Sequence, residues 1–250
     1  IRPQTPLGAT IRGGNAQLTV SGSWLIIDGF RFEDIVRDSS TPILHFNGAQ
    51  HCRFRNNVVA RSGRQPHPAT GVIRLRNGSR FNHIEHNDFL ACQSQCIQVW
   101  AWDGDVTNSD NLIRYNCFAD CAQAEVLQLG QGYQQPEIND PAYRTVVEFN
   151  LFENIDYVGE LISNKTSANI YRYNTFRNCR DQLVLRHGTG ATVMGNWFFD
   201  SVGIRVHDRD HLIANNYIHG GSGNTQLTFG ITLYCGNYQR PAGEGGTHYP

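Results

Sequence analysis

The chain has 250 residues, enough for one large domain with a sizeable buried core. Its 21 Lys and Arg against 22 Asp and Glu leave a formal net charge of −1, so no global field draws in nucleic acid and any polyanion site has to be a local groove. Gly is frequent at 25, Asn is abundant and Met occurs once, a composition that suits short strands and many turns, and no apolar run approaches the ~18 residues of a membrane span.

Along the chain one element recurs: an apolar residue, two residues, Asn, one residue, then Phe or a β-branched residue. An imperfect version, LIIDGFRF, comes first. It is followed by FRNNVV (54–59), IEHNDF (84–89), IRYNCF (113–118), VEFNLF (147–152), YRYNTF (171–176), VMGNWF (193–198) and IANNYI (213–218). The Asn positions 57, 87, 116, 150, 174, 196 and 216 are spaced by 30, 29, 34, 24, 22 and 20 residues. A constant motif at uneven intervals means one structural unit with variable loops. Stacked units bring Asn above Asn, where the amides can hydrogen-bond along the axis. Phe89, Phe118, Phe152, Phe176 and Phe198 stack inside by the same rule, followed three positions later by Cys92, Cys121, Ile155, Cys179 and Ser201. The Leu spacing of leucine-rich repeats is absent, and no i, i+3, i+4, i+7 pattern supports a helical repeat. The fold class predicted is all-β, a right-handed parallel β-helix with three short strands per coil.

Between these motifs lies a second strand: VIRLR (72–76), CIQVW (96–100), VLQLG (126–130), LISNK (161–165), QLVLR (182–186), GIRVH (203–207) and GITLY (230–234). Alternation puts Ile73/Leu75, Ile97/Val99, Leu127/Leu129, Ile162/Asn164, Leu183/Leu185, Ile204/Val206 and Ile231/Leu233 inside. Six of the seven pairs are wholly apolar; Asn164 is the polar break. The last outward position then reads Arg76, Trp100, Gly130, Lys165, Arg186, His207 and Tyr234, a row of cations and aromatics at about 4.8 Å per coil. Like charges repel at that spacing and packing does not ask for them, so the row points to a binding face for an acidic ligand.

Lys165 is the chain's single lysine beside 20 arginines. Lys can lose its proton when its pKa falls, and Arg effectively cannot. A neighbouring cation, Arg186 one coil on, disfavours the charged form and prepares Lys165 as a general base. A uronate carries an acidic proton at C5, next to its carboxylate. Eliminating its 4-linked sugar requires a charge to neutralise the carboxylate, a base at C5 and a donor to the leaving oxygen. Lys165, Arg186, His187, Arg205 and the amide of Gln128 can supply these.

Other side chains read more simply. Cys52, Cys92, Cys96, Cys117, Cys121, Cys179 and Cys235 are odd in number without paired CxxC spacing, which predicts buried free thiols. His83/His86 and His207/His211 lack a third metal ligand. Asp208/Asp210, Glu85 and Glu148 are weak candidates for the paired carboxylates of a glycoside hydrolase. GGSGN (220–224) is a turn.

The stretch ELISNKTSANIYRYNTFRNC (160–179), with QLVLRHG (182–188) and GNWF (195–198), resembles polysaccharide lyase family six, the alginate lyases and chondroitinase B. The match is dense from about Thr145 to Ile218 and weaker from Gly22 onward. The resemblance implies a parallel β-helix in which Lys165 is the Brønsted base, Arg186 the proton donor, and His187 and Arg205 bind substrate. It also implies a Ca²⁺ site built from an Asn and two Glu just before the Lys. Glu160 matches one of these and Val158 replaces the other, so weak or no Ca²⁺ dependence is expected. A single β-helix domain over 1–250 is expected, without the family's usual N-terminal cap.

The function expected is a lyase acting on a uronate polymer, alginate first. Binding would involve Arg76, Trp100, His207, Tyr234, Gln128 and Glu160 besides Arg205 and His187. A chondroitin or dermatan lyase and a non-catalytic glycan-binding β-helix are the alternatives. No nucleic-acid or membrane partner is expected. The chain begins at Ile1 without Met or signal peptide, consistent with a processed or trimmed form of a secreted or periplasmic bacterial protein. The loop at 130–144 is the expected wall of the groove.

Overall fold

The computed structural model describes residues 1–37, 41–63, 71–100, 107–121, 125–130, 142–156, 160–221 and 229–233. Every regular element among them is a strand, and the strands form three parallel sheets of nine, nine and eight members. One coil runs through Arg53–Arg55, Val58–Ala60 and Ile73–Arg76, and the next through His83–Glu85, Asp88–Leu90 and Ile97–Val99. Each strand pairs with its counterpart one coil away. The expected right-handed parallel β-helix is the fold observed. Sheet one holds Val58–Ala60, sheet two Ile73–Arg76 and sheet three Arg53–Arg55.

The Asn ladder forms at the corner between sheets three and one. Asn57 Nδ2 donates to Asn87 Oδ1 at 3.0 Å, and the same bond links Asn87 to Asn116, Asn116 to Asn150, Asn150 to Asn174 and Asn174 to Asn196 at 3.0 Å, then Asn196 to Asn216 at 2.9 Å. Each Oδ1 also accepts the backbone N–H of the preceding Asn, so the buried amides of this ladder are satisfied. The residue before each Asn turns the corner with positive φ, including the bulky His86, Tyr115, Phe149 and Tyr173. That conformation is costly for such residues. Their rings stack outside the corner, with centroids 4.9, 5.1 and 5.2 Å apart. A second, shorter ladder runs from Asn82 to Asn111 at 3.1 Å.

Inside, Phe89, Phe118, Phe152, Phe176 and Phe198 stack at 4.9, 4.9, 4.8 and 4.3 Å. The inward pairs of sheet two fall in the predicted register from Ile73/Leu75 to Ile231/Leu233. They are buried except in the last of these coils, where Leu233 is 78% exposed. Cys52, Cys92, Cys96, Cys121 and Cys179 are buried free thiols, as expected, whereas Cys117 is free but only partly buried; Cys235 lies outside the described residues.

One expectation fails on the outer face of sheet two. Alternation assigned Gln98, Gln128, Ser163 and Val184 to solvent, yet they are 0%, 3%, 0% and 0% exposed. Parity says which face a side chain occupies, not whether that face is covered. The outward column His45, Arg74, Gln98, Gln128, Ser163, Val184, Arg205 is therefore covered through its middle rather than an open surface.

Candidate active site

Lys165 ends the strand Glu160–Lys165, which pairs with Gln182–His187. Two register shifts interrupt that pairing. The first lies between Glu160 and Ile162, where Glu160 pairs with Gln182 and Ile162 with Leu183. Leu161 is the extra residue and sits in the core. Strict alternation would have put Glu160 inside with Ile162 and Asn164; the bulge turns it outward. The second shift pairs Asn164 with Leu185 but Lys165 with His187. The expected stacking of Lys165 on Arg186 is therefore corrected: Arg186 is the bulged residue and His187 the paired one.

The bulges gather four charges. The Glu160 carboxylate accepts from Ser163 Oγ at 2.6 Å, Arg186 Nη1 at 3.1 Å and Arg205 Nη2 at 2.6 Å. Burial pushes its pKa up, but the Ser163 hydrogen bond and the charges of Arg186, Arg205 and Lys165 outweigh it and hold the group below the usual range. Burial lowers the Lys165 ammonium pKa; Glu125 opposes this, and Arg186 adds to it. Burial and Arg186 push His187 down to about 4, and burial and Arg205 do the same to His207. Both imidazoles are neutral near pH 7.

Asn164 beneath Lys165 is fully buried and uses all four of its hydrogen-bond positions. Its Nδ2 donates to Thr166 O at 2.9 Å and His187 O at 2.8 Å, and its Oδ1 accepts from Asn169 Nδ2 and Tyr171 Oη, both at 2.8 Å. The polar break thus ties the backbone on both sides of Lys165. Gly130 (φ +93°) and Gly188 (φ +92°) press against this segment from the adjacent coils. A Cβ on Gly130 would lie 2.8 Å from Lys165 O, and one on Gly188 would lie 2.4 Å from Thr166 O.

Of the other predicted residues, Gln128 is buried and committed to hydrogen bonds within the protein. Its Oε1 accepts from Gln98 at 3.4 Å and from Gln95, and its Nε2 donates to Gly130 O at 2.9 Å. Arg76 and Trp100 lie together farther toward the N-terminus, with the guanidinium carbon 5.4 Å from the indole centroid. Tyr234, Val158 and positions 131–141 lie outside the described residues. Glu125 and Gln95 were missed. Gln95 Nε2 donates to Glu125 Oε2 at 2.9 Å, and Glu125 acts on Lys165. The signal was present one position before the aligned strands, in QCI, EVL and ELI. In each, two successive residues are buried, Cys96-Ile97, Val126-Leu127 and Leu161-Ile162, which a period of two does not anticipate.

The glycosidase candidates do not converge. Glu85 and Glu148 belong to sheet three and are ion-paired with Arg114 at 2.8 Å and Arg172 at 2.7 Å. Asp208 and Asp210 sit at left-handed turn positions. Among the described residues the metal-capable group of three is Cys92, Cys96 and Cys121, not a histidine set.

The family model of chondroitinase B matches residues 1–237. The chain belongs to that family, polysaccharide lyase family six. A mannuronic acid specific family six lyase from human gut microbiota superposes with a TM-score of 0.80 at 25% identity, covering 98% of this chain and 57% of that one. The family six alginate lyase AlyGC gives 0.79 at 27% identity, covering 94% and 34%. A family six alginate lyase solved with a trisaccharide gives 0.77 at 22% identity, which speaks to the fold alone. The chain thus spans about half of the first of these relatives and a third of the second. No curated protein matches it.

The described donors fit the Ca²⁺ ion implied by the resemblance poorly. Ca²⁺ takes six to eight oxygens. Here both oxygens of Glu160 are engaged by Ser163, Arg186 and Arg205, and two guanidiniums stand where a cation would approach.

Proposed function

We propose that this chain carries the catalytic β-helix of a polysaccharide lyase that cleaves a uronate polymer, alginate first, by β-elimination and without a metal. The observation that carries this reading is the site around Lys165. The chain's one lysine, lowered in pKa by burial, stands beside two arginines held by a single carboxylate.

In this reading Arg205 and Arg186 receive the uronate carboxylate and offset the charge that develops as C5 loses its proton. Lys165 takes that proton through its amine form, which burial and the charge of Arg186 favour. The C5–H electron pair becomes the C4–C5 double bond, the C4–O bond breaks, and its pair leaves on the departing sugar oxygen. Arg186 donates a hydrogen bond to that oxygen, and water delivers the proton, since guanidinium hardly ionises. Neutral His187 and His207 are positioned to hydrogen-bond sugar hydroxyls. Glu160 keeps both guanidiniums in place and moderates their charge. Alginate is favoured over chondroitin and dermatan because a sulfated chain calls for additional cations, and the net charge is −1.

The test is ultraviolet absorbance of the unsaturated product with defined mannuronate and guluronate blocks, chondroitin and dermatan sulfate, each with and without chelator. Product from an alginate block at a rate unchanged by chelator is expected. Absence of product from every uronan would overturn the lyase reading, and loss of the rate on chelation would overturn the metal-free mechanism.

A further inference from the structure

The interior of the helix holds a group of side chains that the lyase chemistry does not use. Cys92 follows the sheet-one strand Asp88–Leu90 and Cys96 precedes the sheet-two strand Ile97–Val99, so the two flank one corner of the same coil. Cys121 stands on the next coil in the rung of Cys92: each lies three residues after a paired Phe, Phe89 and Phe118. All three cysteines are 2% exposed or less. Their sulfurs lie within 4.8 Å of one another, with Cys96 Sγ 3.6 Å from Cys121 Sγ.

Packing does not ask for this convergence. The rung of Cys96 is filled by Val72, Val126 and Leu161 in other coils, and that of Cys92 and Cys121 by Ser62, Ile155 and Ser201, all of them buried. Cys179 shares the second rung and donates to Phe152 O at 3.5 Å, as Cys92 does to Val59 O and Cys121 to Phe89 O at 3.6 Å. It belongs to no such group of three among the described residues. The rung therefore holds a thiol without needing others beside it. Hydrogen bonds from Cys92 and Cys96 lower the pKa of Cys121, while burial raises that of Cys96. A thiolate at Cys121 is thus favoured by the two thiols that face it.

We propose that Cys92, Cys96 and Cys121 form a three-coordinate site for a soft monovalent metal ion, Cu(I), inside the helix. Metal–sulfur bonds of about 2.3 Å set sulfurs about 4.0 Å apart around a trigonal centre. The observed separations bracket that value. Thiolate sulfur selects Cu(I), zinc and iron–sulfur clusters. Structural zinc is almost always four-coordinate, and no fourth Cys, His, Asp or Glu joins this group among the described residues. Binding involves no redox change: copper–sulfur bonds form, and each thiol that becomes a thiolate releases its proton to solvent. The ion ties two adjacent coils through the corner that carries Gln95, the donor to Glu125. It stands apart from the elimination, since the sulfurs belong to the hydrophobic core and Lys165 does not. The inference is independent of the lyase reading.

Anaerobic titration of the reduced full chain with Cu(I) held by the chromophoric chelator bicinchoninate tests it. The ion is supplied both to the native protein and during refolding, because a buried site has to open before it can load. The expected result is one Cu(I) per chain, a thiolate-to-copper charge-transfer band in the ultraviolet, and a melting temperature that rises with the ion. Cys96→Val copies Val72 and Val126 of the adjacent coils, and Cys121→Ser copies Ser62 and Ser201 of its own rung. Each should weaken the affinity by more than the about 10–100-fold typical of losing an outer-shell partner. Cys179→Ser should leave it unchanged, and melting of the metal-free variants establishes that each is folded. Undiminished affinity in Cys96→Val, an equal loss in Cys179→Ser, or no copper withdrawn from the chelator by either route overturns the site.

Discussion

The corner between sheets three and one and the outer face of sheet two are built from the same coils, yet they obey opposite rules. At the corner every coil repeats its neighbour: Asn on Asn from 57 to 216 and Phe on Phe from 89 to 198. On sheet two the column varies, from Arg74 through Gln98, Gln128, Ser163 and Val184 to Arg205, and the strand pairing slips twice in the strand that ends at Lys165. Repetition suits a ladder because identical groups satisfy one another along the axis. A site needs unlike groups converging on one point, and a bulge is how a regular sheet provides them.

If this division is right, substitutions on the two faces separate activity from stability. The largest effect is expected from Lys165→Arg, which keeps the charge but removes the base. Turnover should fall by about 10²–10⁴-fold with an unchanged melting curve; substantial remaining turnover would show that another group takes the proton. Phe152→Ala, in the middle of the aromatic column, should cost about 3–5 kcal/mol in denaturant unfolding. The rate per folded molecule should survive, and its selective loss would mean that the two faces are coupled. Asn150→Ala removes the acceptor for Asn116 and the donor to Asn174, an expected loss of about 1–3 kcal/mol. An equal loss at an exposed strand control such as Thr10→Ala would argue that burial of the ladder contributes little.

The last effect is confined to acid pH. His187 and His207 fall from 6.5 to about 4 in the folded protein. Between those values the unfolded chain binds protons that the folded one refuses, so stability declines as pH drops from 6.5 toward 4 and is unaffected by these groups above that window. Replacing both histidines with Gln should flatten that part of the profile, and an unchanged slope would assign it to other groups.

Much of the helix was legible before any coordinates. The Asn and Phe motifs gave the coil, and the inward pairs of sheet two gave its register, because one buried face with a period of two leaves little freedom. Asn164 stood out as the inner polar break, and Lys165 as the single lysine. The site was less legible. Glu125 and Gln95 escaped notice because two successive buried residues precede the alternation. Arg186 was placed on Lys165 because a bulge adds a residue that spacing alone does not reveal. The burial of Gln98 and Gln128 was unreadable from parity, which distinguishes faces but not what covers them.

The sequence by itself determined the architecture, since stacking is local and repetitive and each motif carries its own instruction. Only the tertiary structure decided how the charges meet. Glu160, Arg186 and Arg205 lie 26 and 45 residues apart along the chain, and whether one carboxylate serves both guanidiniums depends on two register shifts and on coil-to-coil contact. Hydrophobic pattern is written in each segment. Electrostatic partnership belongs to the assembled coils, where small displacements among buried groups set protonation and charge balance.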